Sequence, residues 1–294
     1  MTVFSLVMSA CFGQTSVPSD VKLFSDVEYG KGGASELKMD ILTPKKPPKD
    51  PMPVLVFIHG GGWVHGDKSS GIPKLLPFAK RGYLCASINY RLTGEAIFPA
   101  QIEDCKCAIR FLRAKAGEYN LDPTRIGVWG ESAGGHLVSL LGTTGDIKSL
   151  GGKGGWGMYS SKVQAVCNFY GPSDFTKYIE DTNKLKQLGG HNLPFGMDYL
   201  SLLVGGPADK KLDACRSASP ITYVSKDDPP FLIVQGEKDE IVPQDQAIVL
   251  DAALRKVGVE STLYIIKGAG HGFGERPEVD KMVVDFFNKH LVGK

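Results

Sequence analysis

Apolar positions along this chain alternate between short runs and longer stretches with helical spacing. Short, largely apolar runs bounded by turn residues predict strands of a buried parallel sheet. They lie at 54–58, 83–89, 125–129, 166–169, 231–234 and 261–266. Between these predicted strands, apolar residues recur at helical spacing, for example Leu137, Leu140 and Leu141. The alternation predicts an α/β fold with a mostly parallel central sheet flanked by helices, which begins with an antiparallel pair near 25–29 and 37–42.

Two long connections interrupt this alternation. The stretch 143–161 holds six glycines around Trp156, a composition too flexible for regular structure. The stretch at about 172–230 is far longer than a usual connection between two strands. It predicts a cap-like insertion between late strands of a single domain that covers residues 21–294.

Composition excludes several classes of function. The chain has 294 residues, of which 42% are hydrophobic and 22% charged, with a net charge of +2 and a pI near 8.1. This small net charge does not favour binding to nucleic acid or to an anionic membrane. No apolar stretch is long enough to predict an integral membrane segment. Without a phosphate-loop motif or a metal-ligand cluster at zinc spacing, the sequence predicts no cofactor and no metal. The oligomeric state stays open.

The first twenty residues resemble a leader segment. An apolar run from Val3 to Gly13 precedes small and polar residues up to Asp20, as in a secretory signal, but the basic start of such a signal is missing. We therefore expect export to a periplasm or the medium, with a cytoplasmic protein that carries a disordered leader as the alternative. The cysteines do not decide between them. Cys105 and Cys107 lie two apart on a predicted helix and point in different directions, so no disulfide framework is expected.

One serine lies where a serine becomes a nucleophile. Ser132 sits in Gly130-Glu-Ser-Ala-Gly134, between the predicted strand at 125–129 and a predicted helix from Ala133 to Leu141. A sharp turn between strand and helix strains the serine backbone and exposes its hydroxyl, and glycines on both sides remove side chains that would collide there. The alternative is a glycine-rich turn that contains a serine by chance.

A serine hydroxyl needs a base, and the base needs an orienting carboxylate. His271 lies among glycines directly after the last predicted strand, whereas His290 lies on or near the polar side of a C-terminal helix. His271 is therefore the predicted base. Asp239 follows the preceding strand in a loop with two rivals, Glu237 and Glu240. We favour Asp239 because a short side chain holds an imidazole more rigidly; the alternative role for it is to cap a helix.

A glycine-rich segment predicts a site for a developing oxyanion. His59-Gly-Gly-Gly-Trp63 follows the apolar run at 54–58. Consecutive glycines let backbone N–H groups turn inward and approach a ligand closely. Gly61 and Gly62, with Ala133 after the nucleophile, are the predicted donors. His59 is expected to pack under the loop without a catalytic role.

Five motifs of this chain, taken together, resemble those of one superfamily. They are His59-Gly-Gly-Gly-Trp63, Asn89-Tyr90-Arg91-Leu92, Gly130-Glu-Ser-Ala-Gly-Gly135, Ser219-Pro-Ile221 and Gly270-His-Gly-Phe273. From about Tyr29 to the C-terminus the chain resembles the α/β-hydrolases, whose order of nucleophile, acid and base matches Ser132, Asp239 and His271. Within that superfamily it is similar to hormone-sensitive-lipase-like carboxylesterases and to bacterial feruloyl or acetyl-xylan esterases. Thr93-Gly94, where the lipase-like branch has Ala-Pro, places it nearer the second group.

The resemblance implies hydrolysis of small to medium esters, short-acyl, feruloyl or acetyl-sugar, through an acyl-serine. The expected partner is a small-molecule ester. Two alternatives remain: an amidase or formamidase on the same fold, and a ligand-binding protein without catalysis, against which the filled triad argues. We expect the two long connections to set a preference for short acyl chains. The candidates to line the substrate pocket are Trp63, Trp156, Phe195 and Tyr199. For Phe195 and Tyr199, which lie in the insertion, the alternative is that they only pack it onto the body.

Overall fold

One sheet organises the part of the chain that the computed structural model describes, residues 17–145, 147–187 and 198–293. Its eight strands follow the order β1-β2-β4-β3-β5-β6-β7-β8. β2 pairs antiparallel with β1 and β4, and all other neighbours are parallel. The strands are β1 (Val21–Gly32), β2 (Ser35–Pro44), β3 (Met52–Ile58), β4 (Leu84–Ile88), β5 (Leu121–Glu131), β6 (Ala165–Phe169), β7 (Phe231–Gly236) and β8 (Ser261–Ile266). The predicted fold class, an α/β-hydrolase sheet opened by an antiparallel pair, is confirmed.

Helices cover both faces of this sheet. They are α1 (Ile72–Ala79), α2 (Ala100–Ala114), α3 (Ala116–Tyr119), α4 (Ala133–Thr143), α5 (Phe175–Gln187), α6 (Tyr199–Val204), α7 (Leu212–Ala218), α8 (Asp245–Lys256) and α9 (Pro277–Phe287). None of the helices in the described ranges is long and apolar enough to span a membrane. The predicted leader falls largely on residues 1–16, outside the described residues.

Alternation along the central strands divides the core in two. In β3, Val54 and Val56 face a cluster that includes α2, α4 and α8, while Leu55 and Phe57 face one that includes α1 and α9. Successive strand residues point to opposite faces, so a strand covered on both sides must be apolar throughout. This requirement explains the continuous apolar runs in the sequence.

The parallel strands bring the candidate residues to one edge. Because parallel strands share a direction, the loops that follow β3, β5, β6, β7 and β8 all leave the same carboxyl edge of the sheet. The segment between β6 and β7 also begins there and contains α5, α6 and α7. Phe195, a predicted pocket residue in this segment, lies outside the described residues.

The glycine-rich stretch 143–161 lies at the opposite edge, contrary to the expectation that it sets acyl preference. It connects the end of α4 to the start of β6, and a helix that leads into a parallel strand ends at that strand's amino edge. Carbonyl groups of this stretch accept hydrogen bonds from Arg110 and Arg113 of α2. Among its described residues, regular structure is limited to one short turn, Lys148–Leu150.

Candidate active site

Ser132 occupies a strained turn between β5 and α4. Its backbone has φ 54° and ψ −119°, an unusual conformation for a residue with a side chain. A Cβ atom on Gly134 would overlap the carbonyl oxygen of Ile58, and one on Gly130 would overlap that of Gly134. Only glycine therefore allows the turn to approach β3 so closely, and the helix N-terminus lies directly behind the serine.

The structure brings Ser132, His271 and Asp239 into one hydrogen-bonded chain. His271 Nε2 lies 3.0 Å from Ser132 Oγ, and His271 Nδ1 lies 2.8 Å from Asp239 Oδ2. The Asp239 side chain is fully buried, whereas that of His271 is 20% exposed. An ionised carboxylate at Nδ1 selects the tautomer with the proton on Nδ1, which leaves the Nε2 lone pair free to accept the serine proton.

Four donors hold the Asp239 carboxylate in place. Oδ1 accepts from the backbone N–H groups of Ile241 and Val242 at 2.9 and 2.8 Å. Oδ2 accepts from Gln235 Nε2 at 3.0 Å, in addition to His271. Of the two sequence rivals, Glu237 accepts from the backbone of Gly268 and Glu240 is exposed, while the carboxylate at His271 Nδ1 is that of Asp239. Sequence reasoning missed Gln235, whose only signal is an amide at the end of an apolar strand.

The glycine loop lies against the nucleophile. A Cβ atom on Gly60 would lie 3.3 Å from Cβ of Ser132, so the loop backbone passes directly beside the serine. Gly61 and Gly62 have φ of 105° and 59°, in the region that glycine enters without strain. Within the described chain, no hydrogen bond uses the N–H of Gly61, Gly62 or Ala133. These three N–H groups are therefore available to an oxyanion.

Buried polar contacts hold this loop from below. Trp63 is only 5% exposed, and its indole Nε1 donates to His136 Nδ1 at 3.2 Å. His136 Nε2 in turn donates to the carbonyl of Ala218 at 2.7 Å. Trp63, predicted as a pocket residue, thus packs in the core beneath the loop. His136 was missed, although a histidine one helical turn after the nucleophile was visible in the sequence.

The hydrogen bonds of His136 require the neutral ring. Burial, which disfavours the charged ring, lowers its pKa from 6.5 to about 4. A proton on Nδ1 would also face the Trp63 donor. Between these values the unfolded chain binds a proton that the folded chain does not. The contribution of His136 to the free energy of unfolding is therefore fully present above pH 6.5. It decreases by about 3 kcal/mol as the pH falls towards 4.

We expect His136→Leu to flatten the pH dependence of unfolding. The variant loses stability at pH 7 because it removes two hydrogen bonds. Its free energy of unfolding then falls less than that of the wild type between pH 6.5 and pH 4, since the titrating ring is gone. Urea unfolding across this range measures both profiles, and identical slopes would contradict the assignment.

The remaining pocket candidates fall in two places. A Cβ atom on Gly62 would lie 2.8 Å from the Tyr199 ring, so Tyr199 lies over the oxyanion loop. Trp156 instead donates from Nε1 to the carbonyl of Tyr29 at 2.8 Å and packs against Phe111. It thus packs beside β1, four strand spacings, about 19 Å, from β5. The prediction that Trp156 lines the pocket is wrong, because its loop runs along the opposite edge.

An aromatic ring packs against His271 from the side. The Tyr170 ring meets the His271 ring edge to face, with centroids 4.6 Å apart. Burial, reinforced by the neighbouring Glu131 carboxylate, raises the pKa of Tyr170, so this ring is neutral. Glu131 pairs with Lys74 of α1 at 2.6 Å. The residue before the nucleophile is thereby tied to the helix layer behind it.

A groove of about 1000 Å³ lies beside Tyr170. Neighbours of the triad line it, Glu131, Tyr170 and Gly272 among them, but not Ser132 or His271 themselves. Its walls carry aromatic side chains and its rim carries charged ones. They include Trp129, Phe169, Phe273, Arg81, Arg276 and Asp280.

Known proteins resemble this chain over most of its length. The BD-FAE family model matches residues 39–254. Esterase LipQ of Mycobacterium tuberculosis is 32% identical over 253 residues, which cover 85% of this chain and 57% of LipQ. The chain thus spans little more than half of that relative's length.

Solved structures agree in fold. A truncated carbohydrate esterase from gut microbiota superposes with a TM-score of 0.80 at 30% identity, covering 92% of this chain and 96% of that one. The butyrate-bound esterase Est2 of Thermogutta terrifontis superposes with a TM-score of 0.74 at 25% identity, covering 94% and 97%. The chain belongs to the BD-FAE family and has the α/β-hydrolase fold.

Proposed function

We propose that this protein is a serine carboxylesterase that hydrolyses short-acyl esters of carbohydrates. The observation that carries the proposal is the hydrogen-bonded chain from Ser132 Oγ through His271 to Asp239, at 3.0 and 2.8 Å. Free N–H groups of Gly61, Gly62 and Ala133 lie beside it. A nucleophile, a base and an oxyanion site together are what acyl transfer requires.

The geometry supports a two-step reaction. His271 Nε2 takes the proton of Ser132 as Oγ bonds to the ester carbonyl carbon, and the loop N–H groups receive the oxyanion. His271 then returns the proton to the departing alcohol oxygen, which leaves an acyl group on Ser132. A water molecule, deprotonated by His271, then attacks that acyl group. The bond between the acyl carbon and Ser132 Oγ breaks, the acid leaves, and His271 returns the proton to Oγ. Asp239 stays ionised throughout and stabilises the imidazolium.

Tyr199 supports a short acyl group. Its ring closes the space above Gly62, beside the position of the substrate carbonyl. Only a small acyl chain fits in such a space without displacing the ring. The Est2 structure with bound butyrate is consistent with this size.

The flanking groove supports a carbohydrate on the alcohol side. Aromatic walls pack against the apolar faces of sugar rings, and charged rim residues hydrogen-bond to hydroxyls. Gly272 lines the groove and is next in sequence to His271, which protonates the leaving alcohol. The related carbohydrate esterase from gut microbiota fits this assignment.

Tyr199→Ala should broaden the acyl preference. We expect the ratio of kcat/KM for octanoyl over acetyl p-nitrophenyl esters to rise about ten-fold, because a cavity replaces the ring. Trp156→Ala is the matched control, since this aromatic residue lies far from the loop, and its profile should equal the wild type's. An unchanged profile for Tyr199→Ala would remove this residue from the acyl site.

A substrate panel tests the proposed function. p-Nitrophenyl esters of increasing chain length, p-nitroanilides, and acetylated and feruloylated sugars are compared by kcat/KM. The proposal expects acetyl to butyryl esters to be the best of the simple substrates, with acetylated sugars exceeding them. Faster cleavage of anilides would establish the amidase alternative. No turnover of any substrate would establish the binding protein.

A further inference from the structure

Gln235 is buried at the end of β7, directly behind the catalytic carboxylate. Its side chain is fully enclosed, and Nε2 donates to Asp239 Oδ2 and to the carbonyl of Val242, both at 3.0 Å. The second bond reaches the same loop whose backbone N–H groups hold Asp239 Oδ1. One amide thus ties the carboxylate and the loop that carries it to the sheet.

The other end of the amide has no partner. Gln235 Oε1 is buried and accepts no hydrogen bond within the described chain, an arrangement that costs stability. Rotating the amide would not relieve it, because Oε1 would then face two oxygens, Asp239 Oδ2 and the Val242 carbonyl. The carboxylate and the Val242 carbonyl, which both accept, therefore fix the orientation of the amide.

We infer that Gln235 is a positioning residue of the triad, which fixes Asp239 and moderates its hydrogen bond to His271. Asp239 Oδ2 is shared between two donors, so the Gln235 bond withdraws negative charge from the side that faces the imidazole. Removing that donor concentrates the charge and favours the imidazolium, while it also loosens the carboxylate. The inference rests on the proposed serine mechanism.

Two tyrosines and one glutamate lie around this pair. Tyr170 packs against His271, and Tyr178 of α5 donates to the carbonyl of Ile241 in the Asp239 loop. Burial raises the pKa of both tyrosines, so neither ionises near neutral pH. Glu131 lies beyond Tyr170 and pairs with Lys74. A shift of the acid limb of kcat/KM in a Gln235 variant therefore does not come from these three groups.

Gln235→Met tests the inference, because methionine keeps the volume and removes the donor. With p-nitrophenyl acetate, we expect kcat to fall about ten-fold while KM changes less than about two-fold. The acid limb of kcat/KM should move up by about half a pH unit. Gln235→Glu keeps the shape, and its buried carboxyl, protonated beside Asp239, still donates, so kcat at pH 7 should recover towards the wild type.

Gln101 provides a matched control. It too is fully buried, donates from Nε2 to two carbonyls, those of Arg91 and Ala96, and leaves Oε1 without a partner. Gln101→Met therefore repeats the loss in packing and hydrogen bonds outside the triad. We expect a change in Tm but an acid limb identical to the wild type's.

The outcomes separate this inference from the proposed mechanism. If Ser132→Ala is inactive but Gln235→Met keeps both the wild-type rate and the wild-type acid limb, the inference fails while the mechanism stands. Equal shifts in Gln101→Met and Gln235→Met would also overturn it. If Ser132→Ala remains active, the mechanism itself fails. If Gln235→Met does not fold, the pH profile of Gln235→Glu decides. The inference expects activity near the wild type's at pH 7 and a loss of activity at higher pH, as the new carboxyl ionises.

Discussion

Ser132→Ala should reduce kcat for p-nitrophenyl acetate by about 10⁴- to 10⁶-fold. The substitution removes only Oγ, which lies 3.0 Å from His271 Nε2, so no nucleophile is left in line with the base. The backbone conformation of the turn is set by its glycines and by the bond from Ser132 N to the Phe169 carbonyl, which persist. We therefore expect a folded protein with almost no turnover.

Ser139→Ala is the control for this loss. Ser139 lies in α4, the helix that follows Ser132, is buried, and hydrogen-bonds to Gly135 and Asn168 rather than to the triad. Its variant should lose stability in a thermal melt and keep the wild-type rate within about three-fold. Ser132→Ala with more than a few per cent of wild-type activity would mean that another residue is the nucleophile.

Asp239→Asn should cost about 10⁴-fold in kcat. Two rigid backbone N–H groups, of Ile241 and Val242, demand an oxygen at the Oδ1 position. The new amide must therefore turn its NH₂ group towards His271, whose Nδ1 then accepts. The proton moves to Nε2, which can no longer accept from Ser132.

Glu240→Gln and Glu237→Gln isolate this effect from a general change in charge. Both remove one exposed carboxylate from the same loop and leave the bond between Asp239 and His271 in place. We expect rates within about three-fold of the wild type from each. A loss in Glu240→Gln that equals or exceeds that of Asp239→Asn would show that the carboxylate has been assigned to the wrong residue.

Local signals predicted the strands, turns and loops that carry Ser132, Asp239 and His271, because each is built from a short stretch of chain. The strand, turn and helix around Ser132 lie within about twenty residues, and the turn itself dictates its glycines. Asp239 was favoured for its short side chain. The structure adds a stronger reason, since its Oδ1 accepts from the two residues that follow in the same loop.

Contacts between distant segments were not predictable in this way. His136 reaches a carbonyl 82 residues farther along the chain, and Gln235 acts on the triad only through the folded loop. The error over Trp156 has a different origin. Aromatic residues in a flexible loop suggested a pocket, although the loop leads into a strand and must lie at the edge away from the nucleophile.

The central claim is that Ser132 is the residue that attacks the substrate. Its most direct test is peptide mapping by mass spectrometry after inactivation with paraoxon, which transfers a phosphoryl group to an activated serine as p-nitrophenolate leaves. The account predicts one adduct per chain, located on Ser132, formed in parallel with the loss of esterase activity and absent from Asp239→Asn on the same timescale. An adduct on any other residue, or full inactivation with Ser132 unmodified, would contradict it.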